Sequence, residues 1–247
     1  SRGLIYLDYN KIVTATIDVF RKCDIHSFPI NCEDLLKHYG YRIFSYKELR
    51  DRNPELYNLS LGYSEDAFRA GASKIVAYNP NRPHGRIRFS LMHELGHHVL
   101  DHTGTSDQNE KEANAFASYI LAPRMAIHYA KCKNANDVAR LFDMSFEAAD
   151  NAFMDYRRWH RSVVVYKMST TDKAMYAHFY NSDQKCFIWS KQNCCFCGRV
   201  LYNSLENHCR ICILPSAPKE RKQYTAGCCD DNDRILQRQH LKWLYDF

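Results

Sequence analysis

Apolar residues recur at helical spacing through most of the chain, with a few short β-rich stretches between them. Across residues 4–22, Leu4, Ile5, Leu7, Ile12, Ile17, Val19 and Phe20 keep three- and four-residue intervals and predict a first helix. Residues 31–40 predict a second, with Asn31 as its cap and Gly40 as its end. Residues 41–45 and 71–79 are rich in strand-forming side chains and predict strands, the latter closed by a turn at Asn79-Pro80-Asn81. Residues 86–100 predict a helix, with Ser90 as a cap candidate unless the helix starts a few residues earlier. A polar loop is expected over 101–109, then a helix over 110–121 that ends at Pro123. Residues 136–159 hold one or two more helices, and 162–168 read as a strand. Beyond about residue 167 cysteines, aromatics and loop residues dominate, which divides the chain into 1–165 and 166–247. The expected class is α+β: a mainly helical domain with a small sheet, followed by a small cysteine-rich domain.

Composition narrows this picture. With 247 residues, 45% of them hydrophobic and 25% charged, the chain suits a soluble globular protein of one large domain, or of one domain plus a small satellite. No apolar run nears the ~20 residues of a spanning helix, so no membrane association is expected. The net charge of +6 permits a nucleic-acid or acidic partner without calling for one. No Lys/Arg run concentrates it, so it reads as a solvated basic surface, and direct nucleic-acid binding is not indicated. Three of the eleven cysteines, Cys23, Cys32 and Cys132, are scattered, and the other eight crowd between Cys186 and Cys229. The count is odd, and residues 1–6 lack the apolar core of a signal peptide. The expectation is a reducing cytoplasm with thiolates on metal, not a disulfide framework.

The candidate chemistry lies at His93-Glu94-Leu95-Gly96-His97, an H-E-x-x-H match. On a helix, positions i and i+4 share a face, so both imidazoles can reach one zinc ion. Glu94, beside the first histidine, can take a proton from a water activated by that ion without being a ligand itself. A catalytic zinc of this type takes a third protein ligand and keeps one position open. The metzincin register needs histidine at position 103, where Thr103 stands, and His102 is out of that register. The next helix offers Glu110 and Glu112. Glu110 is preferred because Asn114, four residues on, shares its face, so that one can ligate while the other orients a ligating histidine. This arrangement resembles the Glu-x-x-x-Asp of thermolysin-like gluzincins. No oxyanion stabiliser is assigned; His98, His102 and Tyr119 read as packing or surface.

Residues 86–97, Arg-Ile-Arg-Phe-Ser-Leu-Met-His-Glu-Leu-Gly-His, resemble the R-x-R-F-T-x-x-H-E-L-G-H segment of the ImmA/IrrE family. Residues 110–123 resemble that family's E-x-x-A-N-x-F-A-x-x-L-L-x-P helix, and residues 137–145 its following L-A-x-x-F-x-V-S segment. Ser90 replaces the usual Thr, and Ile120-Leu121-Ala122-Pro123 replaces Leu-Leu-Met-Pro. The resemblance spans roughly residues 5–165. It implies a cytoplasmic zinc metallopeptidase with His93, His97 and Glu110 as ligands and Glu94 as base. It also implies an endopeptidase whose protein substrate is a helix-turn-helix transcriptional repressor, cleaved to derepress its genes. The alternative from another class is a non-proteolytic regulatory module that uses the same fold to sense a partner or DNA, and the intact Glu94 favours the enzyme.

The tail carries Cys194-x-x-Cys197 and Cys209-x-x-Cys212, separated by eleven residues. Paired knuckles of this kind bring four thiolates to one closed, structural zinc, and Gly198 suits the tight turn after the first. A zinc ribbon is expected there, with Cys195, His208, Cys228 and Cys229 left open as substitutes or free thiols. Tyr176, Phe179, Tyr180, Phe187 and Trp189 read as the core of this small domain. The expected cofactors are thus one catalytic and one structural zinc.

Overall fold

The computed structural model describes residues 7–104 and 106–213. Helix α1 (Tyr9–Lys22) starts where the Asp8 side chain accepts from the Lys11 amide, and its buried stripe is Ile12, Val13, Thr16, Ile17, Val19 and Phe20. Leu4 and Ile5, which the periodicity joined to this helix, lie outside the described residues. Helix α2 (Cys32–His38) is capped by Asn31, which accepts from the Glu33 and Asp34 amides. Gly40, just past it, has φ +81°, a conformation that suits glycine.

Strand β1 (Arg42–Ser45), helices α3 (Tyr46–Arg52) and α4 (Pro54–Tyr63), and strands β2 (Ala67–Ala70) and β3 (Ile75–Tyr78) follow. The sheet order is β1-β3-β2, with β1 parallel and β2 antiparallel to β3. Helix α5 (His84–Val99) packs on this sheet and on α6 (Asp107–Leu121). It begins six residues before Ser90, with Pro83 at the cap position, so Ser90 lies in its interior and does not cap it. Proline supplies the preset φ that opens a helix. Ser106 caps α6 by accepting from the Asn109 amide, so the loop after α5 is shorter than its polarity suggested.

Helices α7 (Arg124–Tyr129), α8 (Ala135–Phe142) and α9 (Phe146–Tyr166) complete the helical body. The strand expected over 162–168 is instead the last turn of α9. Val163 continues the helical stripe from the buried Trp159, while Val164, Val165 and Tyr166 point to solvent at 65–80% exposure. Their β-branched and aromatic character misled because burial at i and i+4 overrides local propensity.

Helix α10 (Thr170–Phe179) also lies in the stretch expected to be loop-like, capped by Ser169 and Asp172 in a reciprocal box. Met175, Tyr176, Phe179, Phe187 and Trp189 join the same continuous core as α1, α5 and α6. The Phe179 ring is 5.2 Å from Phe20 and 5.1 Å from Phe28. These aromatics are therefore core of the main body and do not form a separate small β core. Strands β4 (Tyr180–Asn181) and β5 (Cys186–Phe187) pair antiparallel. The chain then enters a hairpin of β6 (Lys191–Asn193) and β7 (Val200–Tyr202), followed by the short helix α11 (Arg210–Ile213).

Candidate metal centre and cleft

Two residues of the R-x-R-F segment fix where α5 lies. Arg86 makes a forked pair with Asp66, at 2.7 and 3.1 Å, tying the helix to the start of β2. Arg88 is buried and donates to the carbonyls of Ile30 and Asp143, both at 2.9 Å. Gly96 brings α6 close: a Cβ there would meet Phe116 at 3.0 Å and the Ala113 backbone at 3.3 Å. The helix pair therefore approaches at the turn that carries the two histidines.

His93 Nε2 and His97 Nε2 are 3.0 Å apart. Glu110 Oε2 lies 3.3 Å from the first, and Oε1 lies 3.4 Å from the second. Donors about 2.0–2.1 Å from a tetrahedral zinc sit about 3.3–3.4 Å apart, so the three side chains fit the ion. His93 Nδ1 is 3.0 Å from Asn114 Oδ1, so the Nδ1 proton is donated to the amide and Nε2 faces the centre. Burial, then the neighbouring His93, His102 and Arg69, push His97 down to about 4. Burial likewise lowers His93, against the carboxylate of Glu110. Both imidazoles are held neutral, the form that donates a lone pair to a metal.

Glu94 points into the same space, with its side chain 16% exposed. Burial raises its carboxyl to about 7, Glu110 adds to the rise, and Arg69 of β2, 3.7 Å away, opposes it. A carboxyl near neutrality is matched to taking and returning a proton at ordinary pH.

Glu112 takes a different position. It accepts from Lys11 of α1 at 2.9 Å and from Gln108 at 2.7 Å, and His102 Nε2 is 3.2 Å away. These donors hold its carboxyl down at about 2, against the burial that raises it. His102 Nδ1 in turn lies 3.1 Å from His97 Nδ1. His102, expected as packing or surface, thus joins Glu112 to a histidine of the centre. His102 is 4% exposed, and Glu112 is the more buried of the two carboxylates. The one signal for this in the sequence is the placement of Glu112 opposite Glu110 on α6, which cannot say what either face meets.

A cleft of about 1380 Å³ runs past the centre. Ala67, Phe68 and Arg69 of β2 line one wall, and Ala148, Asn151 and Asp155 of α9 the other. Strand β2 is at the sheet edge, paired only to β3 among the described residues.

In the cysteine module, Cys194 and Cys197 lie in the turn between β6 and β7, where the following Gly198 has φ +72°. Sulfur separations are 3.9 Å for Cys194–Cys212, 3.7 Å for Cys197–Cys209 and 3.4 Å for Cys209–Cys212. Thiolates about 2.3 Å from a tetrahedral zinc sit about 3.8 Å apart, so these four also fit the ion. The Cys209 amide donates to Cys194 Sγ at 3.2 Å. The four sulfurs, like His93, His97 and Glu110, have ligand atoms within 4.8 Å of one another. Cys195 and His208 stay outside this cluster; His208 pairs with Glu206 at 3.0 Å. Cys228 and Cys229 lie outside the described residues.

Two imidazoles one helical turn apart, a carboxylate from the next helix and a buried glutamate beside the first histidine are the side-chain set that zincin-type metallopeptidases use. Residues 53–154, from α4 into α9, match the family model of the peptidase M78 class described as the IrrE N-terminal-like domain. The chain thus carries the resemblance read from its motifs, and it pairs that domain with a four-cysteine cluster suited to zinc. No curated protein matches the chain significantly. Among the described residues, no helix is long and apolar enough to cross a membrane.

Proposed function

We propose that the chain is a cytoplasmic zinc-dependent endopeptidase that cleaves a helix-turn-helix transcriptional repressor and so derepresses its genes. The observation that carries the peptidase reading is the convergence of His93, His97 and Glu110 at tetrahedral donor spacing beside Glu94, on the floor of a cleft walled by an edge strand. The endopeptidase and repressor parts rest on the family resemblance.

In this reading His93, His97 and Glu110 hold the catalytic zinc. When bound, that ion supplies Lewis acidity, polarising the scissile carbonyl and lowering the pKa of water toward ~7. Glu94 takes the proton of the attacking water and returns it to the leaving amine. Arg69, 3.7 Å from the Glu94 carboxylate, opposes the pKa rise from burial. The unpaired edge of β2 binds substrate in extended form through main-chain hydrogen bonds, as edge strands bind peptides elsewhere. Cys194, Cys197, Cys209 and Cys212 hold the structural zinc of a module that recognises the substrate protein. The body of the proposed peptidase runs on to about residue 190, because α10 and β5 contribute side chains to its core.

Glu94→Gln tests this reading. The amide cannot accept a proton but keeps the size and hydrogen-bonding of the side chain. The variant should keep its full zinc content and melting temperature, yet cleave a helix-turn-helix repressor substrate at least about 1000-fold more slowly, taking general-base catalysis and charge placement together. Cleavage at the wild-type rate refutes the assignment. A wild-type protein that binds the repressor without cutting it points to the sensor reading instead.

A further inference from the structure

Lys11, Glu112, His102 and His97 form one unbroken polar chain from α1 to the candidate metal centre. Its steps are 2.9 Å from Lys11 Nζ to Glu112 Oε2, 3.2 Å from that oxygen to His102 Nε2, and 3.1 Å between the Nδ1 atoms of His102 and His97. Proton positions in this chain follow from its ends. Nε2 of His97 faces His93 Nε2 and Glu110, and as a zinc ligand in the proposed reading it gives its lone pair to the centre, which places the ring's proton on Nδ1. That proton is donated to His102 Nδ1, which must therefore be the bare nitrogen of a neutral ring. His102 then carries its proton on Nε2 and donates it to Glu112. The carboxylate is kept charged by Lys11 and by Gln108, which donates at 2.7 Å. Every member has one orientation compatible with its neighbours.

We propose that His102 and Glu112 are positioning residues that fix the tautomer and ring plane of His97, and that Lys11 couples the docking of α1 to the affinity of the centre for zinc. The inference rests on the reading of His97 as a zinc ligand and deepens it. His93 reaches its tautomer through the single amide of Asn114, whereas His97 reaches its own through three residues drawn from two more elements. The two ligands are therefore held differently. Of these two arms, only that of His97 is hydrogen-bonded through to α1, which lies outside the matched family segment of residues 53–154. An ordinary ion pair between Lys11 and Glu112 would stabilise the fold without affecting metal binding. The relay makes a stronger demand, because losing the carboxylate frees His102 to take the other tautomer, which removes the acceptor for His97 Nδ1.

The experiment measures zinc affinity by graded chelator competition on the full chain, with imidazole tautomers read by nitrogen NMR of the zinc-loaded protein. The relevant equivalent is the one missing from His93→Ala. Glu112→Ala should bind it about 10–100-fold more weakly, the range found when such outer partners are removed, and the Nε2 proton of His102 should become mobile or move to Nδ1. Glu112→Gln keeps an acceptor oxygen and should fall between wild type and alanine. Lys11 is half exposed, at 47% of its side chain, so Lys11→Met should fold normally and weaken zinc several-fold in the same direction. Unchanged affinity in both Glu112→Ala and Lys11→Met, with the His102 tautomer intact, overturns the relay. So does loss of stability in Glu112→Ala with no change in affinity. If His93→Ala also keeps every zinc equivalent, the metal centre itself is wrong; if it loses one while the relay variants lose no affinity, only the relay fails.

Discussion

Gly96 is the residue on which the geometry of the helix pair turns, and Gly96→Ala puts a number on it. The added Cβ would lie 3.0 Å from Phe116 Cδ1 and 3.3 Å from both Cα and O of Ala113. Phe116 and Ala113 are fully buried, and the Ala113 contact is backbone, so α6 must shift by a few tenths of an ångström. Overpacking of this kind costs about 1–3 kcal/mol. Replacing glycine by alanine inside a helix contributes about 1 kcal/mol in the other direction. The net expectation is a loss of about 1 kcal/mol, or roughly 2–4 °C in melting temperature for a protein of this size. The sharper consequence concerns metal. Ala113 lies beside Asn114 and three residues after Glu110, so moving α6 disturbs the 3.3 and 3.4 Å spacings to the two histidines and the 3.0 Å support of His93. A loss of about tenfold in zinc affinity follows, equal to about 1.4 kcal/mol, the lower end for disturbed ligand support. Denaturant unfolding of the chelated protein measures the first quantity, and chelator competition the second. A variant about 1 kcal/mol more stable than wild type with unchanged zinc affinity would show that helix propensity alone operates at this site, and the close-approach argument would be wrong.

Gly85→Ala should be far more damaging: its Cβ would lie 2.4 Å from the Ser145 amide and 2.5 Å from the Met144 carbonyl carbon, where α5 abuts the cap of α9. A destabilisation above about 3 kcal/mol is expected, and a wild-type melting curve would contradict it. A chain ending after residue 165 loses Met175, Tyr176 and Phe179 from the main core and should fail to give a cooperative unfolding transition. A chain ending after residue 189 keeps them, and should keep the transition and one zinc while losing the second. Equal stability of the two truncations would show that α10 is dispensable to the body.

Local signals carried the fold where they agreed with tertiary demands. The Asn31 cap, the Gly40 end, the two short strands and the α6 stripe could all be read from residue type and spacing. Strand β2, at the edge, is only four residues long, and its side chains are mostly half-buried, so it carries no strong pattern. Helix α10 was hidden by the aromatics and cysteines around it, although Ser169 and Asp172 form a capping box three residues apart. The end of α9 was misread because three consecutive β-formers face solvent there, and propensity cannot register a helix already committed by Trp159 and Val163.

The candidate site shows the same boundary between what spacing can and cannot decide. The i, i+4 rule puts His93 and His97 on one face, and it also puts Glu110 and Asn114 on one face, both without reference to any partner. It equally places Glu112 about 200° around the helix from Glu110, at ~100° per residue. Which of these faces meets α5 depends on a close approach at Gly96 and on what α1 brings to the other side. Burial would have pointed the wrong way: Glu112 has its side chain 10% exposed and Glu110 46%, yet Glu110 is the one within 3.4 Å of both imidazoles. The exposed carboxylate faces the cleft, where the proposed ligand to a catalytic ion would leave that ion open to substrate. The buried one faces a lysine and a histidine that satisfy it, so its burial fits the proposed support of the centre from behind.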